Sequence, residues 1–183
     1  MRKVLILFGL VLFAATCAKA QEGPNFEVSG DYQYVRMYPG GGAPSQGCQG
    51  FSGNAAANVN NWLGIAGDFG FCKVTGLPTG SGAFAHNTNY LFGPRISFRN
   101  YGRVTPYVQF LLGGDHASAG ATGVPTASAN AFAFTLGGGA DVRLSPHVSL
   151  RAIQFEYFDT HFNSANQKNL RIQTGLVYRF GGR

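Results

Sequence analysis

Apolar and polar residues alternate along most of this chain. In the first such segment Phe26, Val28, Tyr32 and Tyr34 share one phase, and polar residues fill much of the other. A period of two puts the two sets on opposite faces of an extended strand. Comparable segments predict eight β-strands, near residues 26–38, 51–59, 62–71, 90–98, 104–114, 132–143, 148–158 and 169–180.

The connections between these segments alternate in length. Long stretches rich in small and polar residues cover 39–49, 76–87 and 116–128, a medium polar loop covers 160–167, and short turns fall at 60–61, 100–102 and 145–147. Transmembrane barrels have an even number of strands, short periplasmic turns and long outer loops. The sequence therefore predicts an all-β fold, an eight-stranded antiparallel up-and-down transmembrane β-barrel with both termini on the periplasmic side.

The seventh segment breaks the alternation. Ser149 and Arg151 are polar at one phase, whereas Gln154 and Glu156 are polar at the other. A β-bulge near Ala152 would restore the phase, because one extra residue reverses the faces of the strand. The alternative is that the Arg151 side chain extends along the barrel to the membrane interface.

Composition supports a membrane barrel. Charged residues are 12% of the chain, about half the usual share in a soluble domain, and Gly, Phe and Tyr are abundant. Low charge with many aromatic residues suits a barrel whose outer face meets lipid. A secreted soluble β-sandwich is the alternative that composition alone leaves open.

The N-terminus has the pattern of a secretory signal peptide. Arg2 and Lys3 precede an apolar run at 4–15, and Ala18-Lys19-Ala20 forms a cleavage site of small residues. We therefore expect residues 1–20 to be removed after Ala20 and residues 21–183 to form the barrel domain. Cys17 raises a lipoprotein alternative, but the residues before it lack the usual Leu. Without the signal, 11 basic residues face 8 acidic ones, and this net charge of +3 does not indicate nucleic-acid binding.

Two resemblances point to the outer membrane. The terminal pattern formed by Gln173, Gly175, Tyr178 and Phe180 resembles the closing strand that assembly machinery recognises in bacterial outer-membrane barrels. The segments LFGPR at 91–95, RVTPYV at 103–108, GGGAD at 137–141 and SLR at 149–151 resemble the OmpA-type (OmpA/OmpX-like) barrel family. The resemblance implies a monomer in the cell outer membrane that contacts outer-membrane lipids and lipopolysaccharide. We expect no periplasmic peptidoglycan-binding domain, because the chain ends soon after Phe180.

Charged residues are expected inside the barrel. The inward phases carry Glu27, Asp31, Asp68, Arg95, Asp141, Arg143, Glu156, Arg171 and Arg179. An eight-stranded barrel is just wide enough for side chains to fill it. Because both signs occur in similar numbers, we expect a lumen plugged by ion pairs, and a small channel is the alternative.

The sequence predicts no catalytic, metal or cofactor site. His116 and Ser118 resemble the pair in lipid A deacylase barrels, but the adjacent carboxylate, Asp115, points to the opposite face. The remaining histidines are isolated, without the spacing of metal ligands. We therefore expect a non-enzymatic protein with a structural or surface-interaction role and an unidentified surface ligand. A barrel enzyme acting on lipid A or phospholipid is the alternative.

A disulfide is expected between Cys48 and Cys72. They are the only cysteines after signal cleavage, and the periplasm is oxidising. Both are about equally far from the turn at 60–61, so a regular hairpin makes them direct cross-strand partners. Such partners have Cα atoms about 4.5–5.5 Å apart, within reach of a disulfide.

Overall fold

A computed structural model describes residues 25–38, 45–77, 82–99, 102–162 and 165–181. The predicted signal peptide, the loop at 39–44 and part of the turn at 100–102 lie outside these ranges. Within them, no helix is long and apolar enough to cross a bilayer.

Eight strands form one closed antiparallel barrel, as the alternation predicts. Each strand pairs with the next, and the first also pairs with the last. The strands are β1 (Phe26–Met37), β2 (Gln46–Asn58), β3 (Leu63–Thr75), β4 (Phe84–Ser97), β5 (Val104–Ala121), β6 (Val124–Arg143), β7 (Val148–Phe162) and β8 (Ala165–Phe180). The predicted fold class and strand number are confirmed.

The barrel has two distinct ends. The turns at 59–62 and 144–147 lie at one end with Asn25 and Gly181, and we call it the turn end. Asn60 makes the first turn tight, because its Oδ1 accepts hydrogen bonds from the backbone N–H groups of Trp62 and Leu63 at 2.9 and 2.7 Å. The opposite end, which carries the β1–β2, β3–β4, β5–β6 and β7–β8 connections, is the loop end.

Two predicted loops at the loop end are wrong. Residues 116–128 and most of 160–167 are strand, so only residues 122–123 separate β5 from β6 and only 163–164 separate β7 from β8. Gly123, with φ +80°, closes the first of these turns in a conformation that glycine adopts freely. These strand ends carry small and polar residues on both phases, so they lack the apolar alternation by which the other strand segments are recognised.

The alternation itself is confirmed, with the apolar face outward. On β5 and β6, Val108, Phe110, Leu112, Phe132 and Leu136 are exposed, whereas Leu111 and Thr135 are fully buried. At the turn end, exposed aromatic residues form a belt: Phe26, Trp62, Phe98, Tyr178 and Phe180. An apolar outer wall with an aromatic belt is the inverse of a soluble barrel and suits a bilayer.

The predicted bulge on β7 is also confirmed. Pairing with β8 shifts between Arg151 and Gln154, and both of these side chains are buried while Ala152 and Ile153 face outward. Two outward residues in a row rephase the strand. Arg151 therefore lies inside the barrel and does not extend to the interface.

The seam between β8 and β1 depends on a residue without a side chain. A Cβ on Gly175 would lie 2.1 Å from the carbonyl oxygen of Gly30 and 2.6 Å from the Cα of Asp31. Any larger residue must push the two strands apart. Gly175, which the sequence marks as part of an assembly signal, therefore also has a steric role in closing the barrel.

Candidate functional site: the barrel interior and the β5–β6 hairpin

The predicted disulfide joins Cys48 and Cys72, with an S–S distance of 2.06 Å and Cα atoms 5.5 Å apart. The register that predicted it is wrong by two residues. Cys48 pairs directly with Val74, and Cys72 pairs with Gly50, so the bond crosses the ladder diagonally. The difference arises at the turn end, because four residues connect β2 to β3 where a two-residue turn was expected.

Glu27 organises the charges nearest the turn end. Its carboxylate lies 3.1 Å from Nη2 of Arg99, 3.4 Å from Nε of Arg179 and 3.8 Å from Nη1 of Arg95. The carboxylate is buried, and so is the Arg95 side chain. One acid therefore serves three guanidinium groups, and this end of the interior carries an excess of positive charge.

Arg151 forms the next centre along the interior. Its guanidinium lies 3.1 Å from Oδ2 of Asp31 and 3.2 Å from Oδ1 of Asp141. The ring of Tyr107 lies beside it and under Arg95, with ring-centre distances of 5.3 and 4.4 Å. A cation over an aromatic face is attracted to it. The Tyr107 ring therefore stabilises the guanidinium groups of both Arg95 and Arg151, although these carry like charges.

Arg171 forms the third centre, near the middle of the barrel. It lies 2.7 Å from Oδ1 of Asp68 and 2.6 Å from Oε2 of Glu156, and its side chain has no exposed surface. Gln109 donates to Glu156 at 2.7 Å, and Asn89 donates to Asp68 at 2.8 Å. Gln109 binds the Glu156 oxygen that the guanidinium does not reach, whereas Asn89 shares Oδ1 of Asp68 with Arg171. Hydrogen bonds of this kind are what buried charges require.

Toward the loop end an apolar cluster lies inside the barrel among buried polar residues such as Asp115, Thr160 and Asn169. A cluster of buried side chains packs there: Val35, Cys48, Ala56, Ala66, Cys72, Val74, Leu91, Leu111, Ala133 and Phe158, with Met37, Leu77 and Ala85 against it. The sequence did not predict this cluster, because inward positions were expected to be polar. Its residues define what we call the apolar half, and the groups centred on Glu27, Arg151 and Arg171 define the charged half.

Eight of the nine predicted interior charges are buried, and Arg143 is the exception. Arg143 follows the inward phase of β6 but lies at the turn end, exposed, where it donates to the carbonyl of Gly102 at 3.0 Å. The side chain has passed the rim of the barrel, so its phase no longer determines burial. Sequence reasoning missed Arg99 and left Arg151 undecided, since a bulge had to be located first.

The residues of the predicted closing pattern divide between the two faces. Gln173 is buried and donates to Oγ of Ser52 at 2.7 Å. Tyr178 and Phe180 are exposed, with ring centres 4.7 Å apart. The first residue therefore contributes to the interior network and the two aromatic residues to the outer belt.

The β5–β6 hairpin brings three polar side chains together on its outer face. Oγ of Ser118 lies 3.2 Å from Nε2 of His116, and Nδ1 of His116 lies 2.7 Å from Oδ1 of Asn130. His116 and Asn130 are direct cross-strand partners. Asp115 is buried on the other face, as the alternation predicts. Asn130 was missed because residues 116–128 were expected to be a loop, which concealed the register.

Of the other histidines, His86 on β4 lies directly opposite Ser118, whereas His147 and His161 lie elsewhere. His86 stacks on Phe84 with ring centres 5.4 Å apart, His147 lies 6.1 Å from the Tyr178 ring, and His161 contacts Asp159 at 3.2 Å. In the part of the chain that the structure describes, no three His, Cys, Asp or Glu side chains are grouped to hold a metal ion.

Solved barrel structures resemble this chain over most of its length. The Neisserial surface protein A superposes with a TM-score of 0.69 at 17% identity, covering 85% of this chain and 97% of that one. Ail, the attachment invasion locus protein of Yersinia pestis, gives 0.58 at 20% identity over 86% and 100%. OprG from Pseudomonas aeruginosa gives 0.54 at 13% identity over 89% and 99%. A comparison with curated proteins finds no match.

These likenesses show a shared fold, since every identity is low. The model of one protein family, described as the outer membrane protein beta-barrel domain, matches residues 5–180. That match spans nearly the whole chain and agrees with the closed eight-stranded barrel and its apolar outer wall. The chain therefore belongs to the outer membrane protein beta-barrel domain family.

Proposed function

We propose that this protein is a non-conducting outer-membrane barrel with a structural or surface-interaction role. Its turn end faces the periplasm and its loop end faces the cell exterior. The long β5–β6 hairpin at the loop end supports this orientation, and so does the position of both ends of the described chain at the turn end. The aromatic belt beside the turns lies where the barrel leaves the hydrocarbon.

The observation that carries the proposal is the way the interior is filled. Ion-pair groups centred on Glu27, Arg151 and Arg171 follow one another along the barrel, and an apolar cluster lies beyond them. At the turn end of the interior, the space beside Glu27, Arg95 and Arg151 has no room for a water molecule. An ion would have to break buried pairs and then displace the packed side chains of the apolar cluster, and both steps are costly. A closed lumen follows.

The loop end is the surface available to partners outside the cell. β5 and β6 are the longest strands, with 18 and 20 residues, and their hairpin extends this surface with exposed small and polar residues. Ail is by name an attachment and invasion protein. A comparable surface role for this chain is supported by the hairpin. The functional form is a monomer, and it is surrounded by outer-membrane lipids and lipopolysaccharide.

Planar-bilayer recordings test the closed lumen. The refolded protein should add no stable open level to a bilayer across a range of voltages, while a general porin prepared in the same way should conduct. Heat-modifiable migration on unboiled gels must first show that the preparation is folded. A reproducible ohmic conductance from folded protein would overturn the proposal in favour of a small channel.

A further inference from the structure

The outer face of the β5–β6 hairpin carries a hydroxyl, an imidazole and an amide in one hydrogen-bonded row. Because Oδ1 of Asn130 accepts the hydrogen bond from Nδ1 of His116 at 2.7 Å, the imidazole proton resides on Nδ1. In the neutral imidazole Nε2 then carries no proton and can accept from the hydroxyl of Ser118, 3.2 Å away. A nucleophile, its base and a group that orients the base are the three parts of a hydrolytic triad.

One ground for expecting a non-enzymatic protein was that Asp115, the carboxylate adjacent to His116, points to the opposite face. Asp115 is buried in the barrel and cannot orient an imidazole on the outer face. The orienting group comes instead from β6, because Asn130 lies directly opposite His116. An amide oxygen can hold an imidazole in the required tautomer, as it does in cysteine–histidine–asparagine sites.

The row lies just outside the apolar wall. Gly114 pairs with Tyr90 on one side and Phe132 on the other, and both aromatic side chains are exposed. His116 and Ser118 are the next two outward positions toward the loop end, each about 7 Å further along the strand. Aromatic residues mark the boundary between hydrocarbon and water, and the ester bonds of lipids lie at that boundary.

We propose that Ser118, His116 and Asn130 form a site that hydrolyses an acyl ester of a membrane lipid. The inference rests on the proposed orientation, which puts the loop end at the outer leaflet. Ser118 and His116 are the catalytic residues, and Asn130 is a positioning residue. Ser128 on β6 and His86 on β4 lie opposite Ser118, and Thr88 lies opposite His116, so further polar side chains flank the nucleophile.

The chemistry balances with water as the second reactant. Oγ of Ser118 bonds to the ester carbonyl carbon while its proton passes to Nε2 of His116. The bond from that carbon to the alcohol oxygen then breaks, and His116 returns the proton to the departing alcohol. Water attacks the acyl-serine, gives a proton to Nε2 and releases the fatty acid, after which Ser118 regains its proton. No oxidant, metal or cofactor takes part in these steps.

Fatty-acid release from folded protein tests the site. Refolded full-length protein in mixed micelles is given a diacyl phospholipid in one arm and purified lipopolysaccharide in the other, and released fatty acid is measured by mass spectrometry. Release in either arm above a protein-free control is expected, and the arm that responds identifies the lipid. Ser118→Ala should abolish it, and His116→Ala should lower it about 10²–10⁴-fold.

Two further variants separate positioning from folding. Asn130→Leu should lower the rate, whereas Asn130→Asp should restore it, because a carboxylate oxygen can accept the same hydrogen bond from Nδ1 of His116. His161→Ala, an exposed histidine on β7, should leave the rate unchanged. Heat-modifiable migration is checked for each variant, so a loss of folding is not read as a loss of catalysis.

A serine-reactive sulfonyl fluoride with a long alkyl chain gives a second readout. We expect its adduct on Ser118 in the wild type and not in His116→Ala, by peptide mass spectrometry. The proposal is overturned if folded wild-type protein releases no fatty acid in both arms, or if Ser118→Ala releases as much as the wild type. Neither result bears on conductance, so the closed lumen is tested independently by the planar-bilayer recordings.

Discussion

The two halves of the barrel interior are held together by different kinds of interaction. In the charged half, five arginines lie 2.6–3.8 Å from carboxylates, and amides add further hydrogen bonds. In the apolar half, branched and aromatic side chains pack around a disulfide, as in a soluble core. The same strands continue through both halves, so the difference lies only in the inward residues.

The comparison shows where each half is vulnerable. Charges removed from water are tolerated only while every partner is present, so the charged half should fail when one member is lost. An apolar cluster tolerates small changes in shape better, and here a covalent bond ties two of its strands together. A mutation of comparable size should therefore cost more in the charged half.

Loss of Arg171 should have the largest effect. Arg171→Ala leaves Asp68 and Glu156 buried without their cation, and breaking a buried pair costs about 3–5 kcal/mol. Urea unfolding of the protein in lipid vesicles, followed by tryptophan fluorescence, measures the change. Arg143→Ala removes the same side chain from an exposed position and should cost less than about 0.5 kcal/mol. Equal losses at both positions would remove the distinction between buried and rim charges.

Loss of the disulfide should have the next largest effect. Replacing Cys48 and Cys72 together by Ala opens a loop of 24-residue separation, worth about 3 kcal/mol in the chain-entropy model. The same urea experiment measures it, and the loss should equal that caused by reducing the wild type. Mass spectrometry without reductant should find no alkylatable thiol in the mature protein. Two free thiols would contradict the bond, and with it the packing of the apolar half.

A methyl group at the β8–β1 seam should have a smaller effect. Gly175→Ala places a Cβ against the backbone of β1, beside Asp31 in the charged half, and such overpacking costs about 1–3 kcal/mol. Gly30→Ala is the matched control, because no atom lies within 4 Å of the Cβ it adds. If both variants fold equally well in purified lipid but only Gly175→Ala assembles poorly in cells, the residue acts as a recognition signal and not through the seam.

Sequence predicted the fold well where one face of a strand meets an apolar environment. Alternation located all eight strands in the membrane region, and the broken phase at Arg151 and Gln154 located the bulge. It failed at the loop end, where both phases of β5 and β6 are small or polar and no period is visible. The β2–β3 turn is two residues longer than predicted, and this shifted the register of the cysteines by two residues. Turn length is set by local backbone geometry, which the apolar alternation does not reveal.

The site residues were likewise predictable in part. Most buried charges could be assigned from phase alone, but Arg143 could not, because phase gives the face and not the depth. The charged and apolar halves could not be separated either, since each inward residue was judged without its neighbours around the barrel. Asn130 needed the register of a hairpin that the sequence suggests is a loop. The local sequence pattern does not show which residues pair across neighbouring strands, and these pairings were the missing information.

The central claim is that the barrel is closed inside and apolar outside, and adjacent leucines on β5 test it most directly. Leu111 is fully buried and Leu112 is 42% exposed. Methyl NMR of the protein in nanodiscs, with a water-soluble and then a lipid-soluble paramagnetic probe, should show the Leu112 methyls relaxed by the lipid probe alone and the Leu111 methyls by neither. Relaxation of Leu111 by the water-soluble probe would show an open lumen, and its relaxation by the lipid probe would show that the assigned faces are reversed.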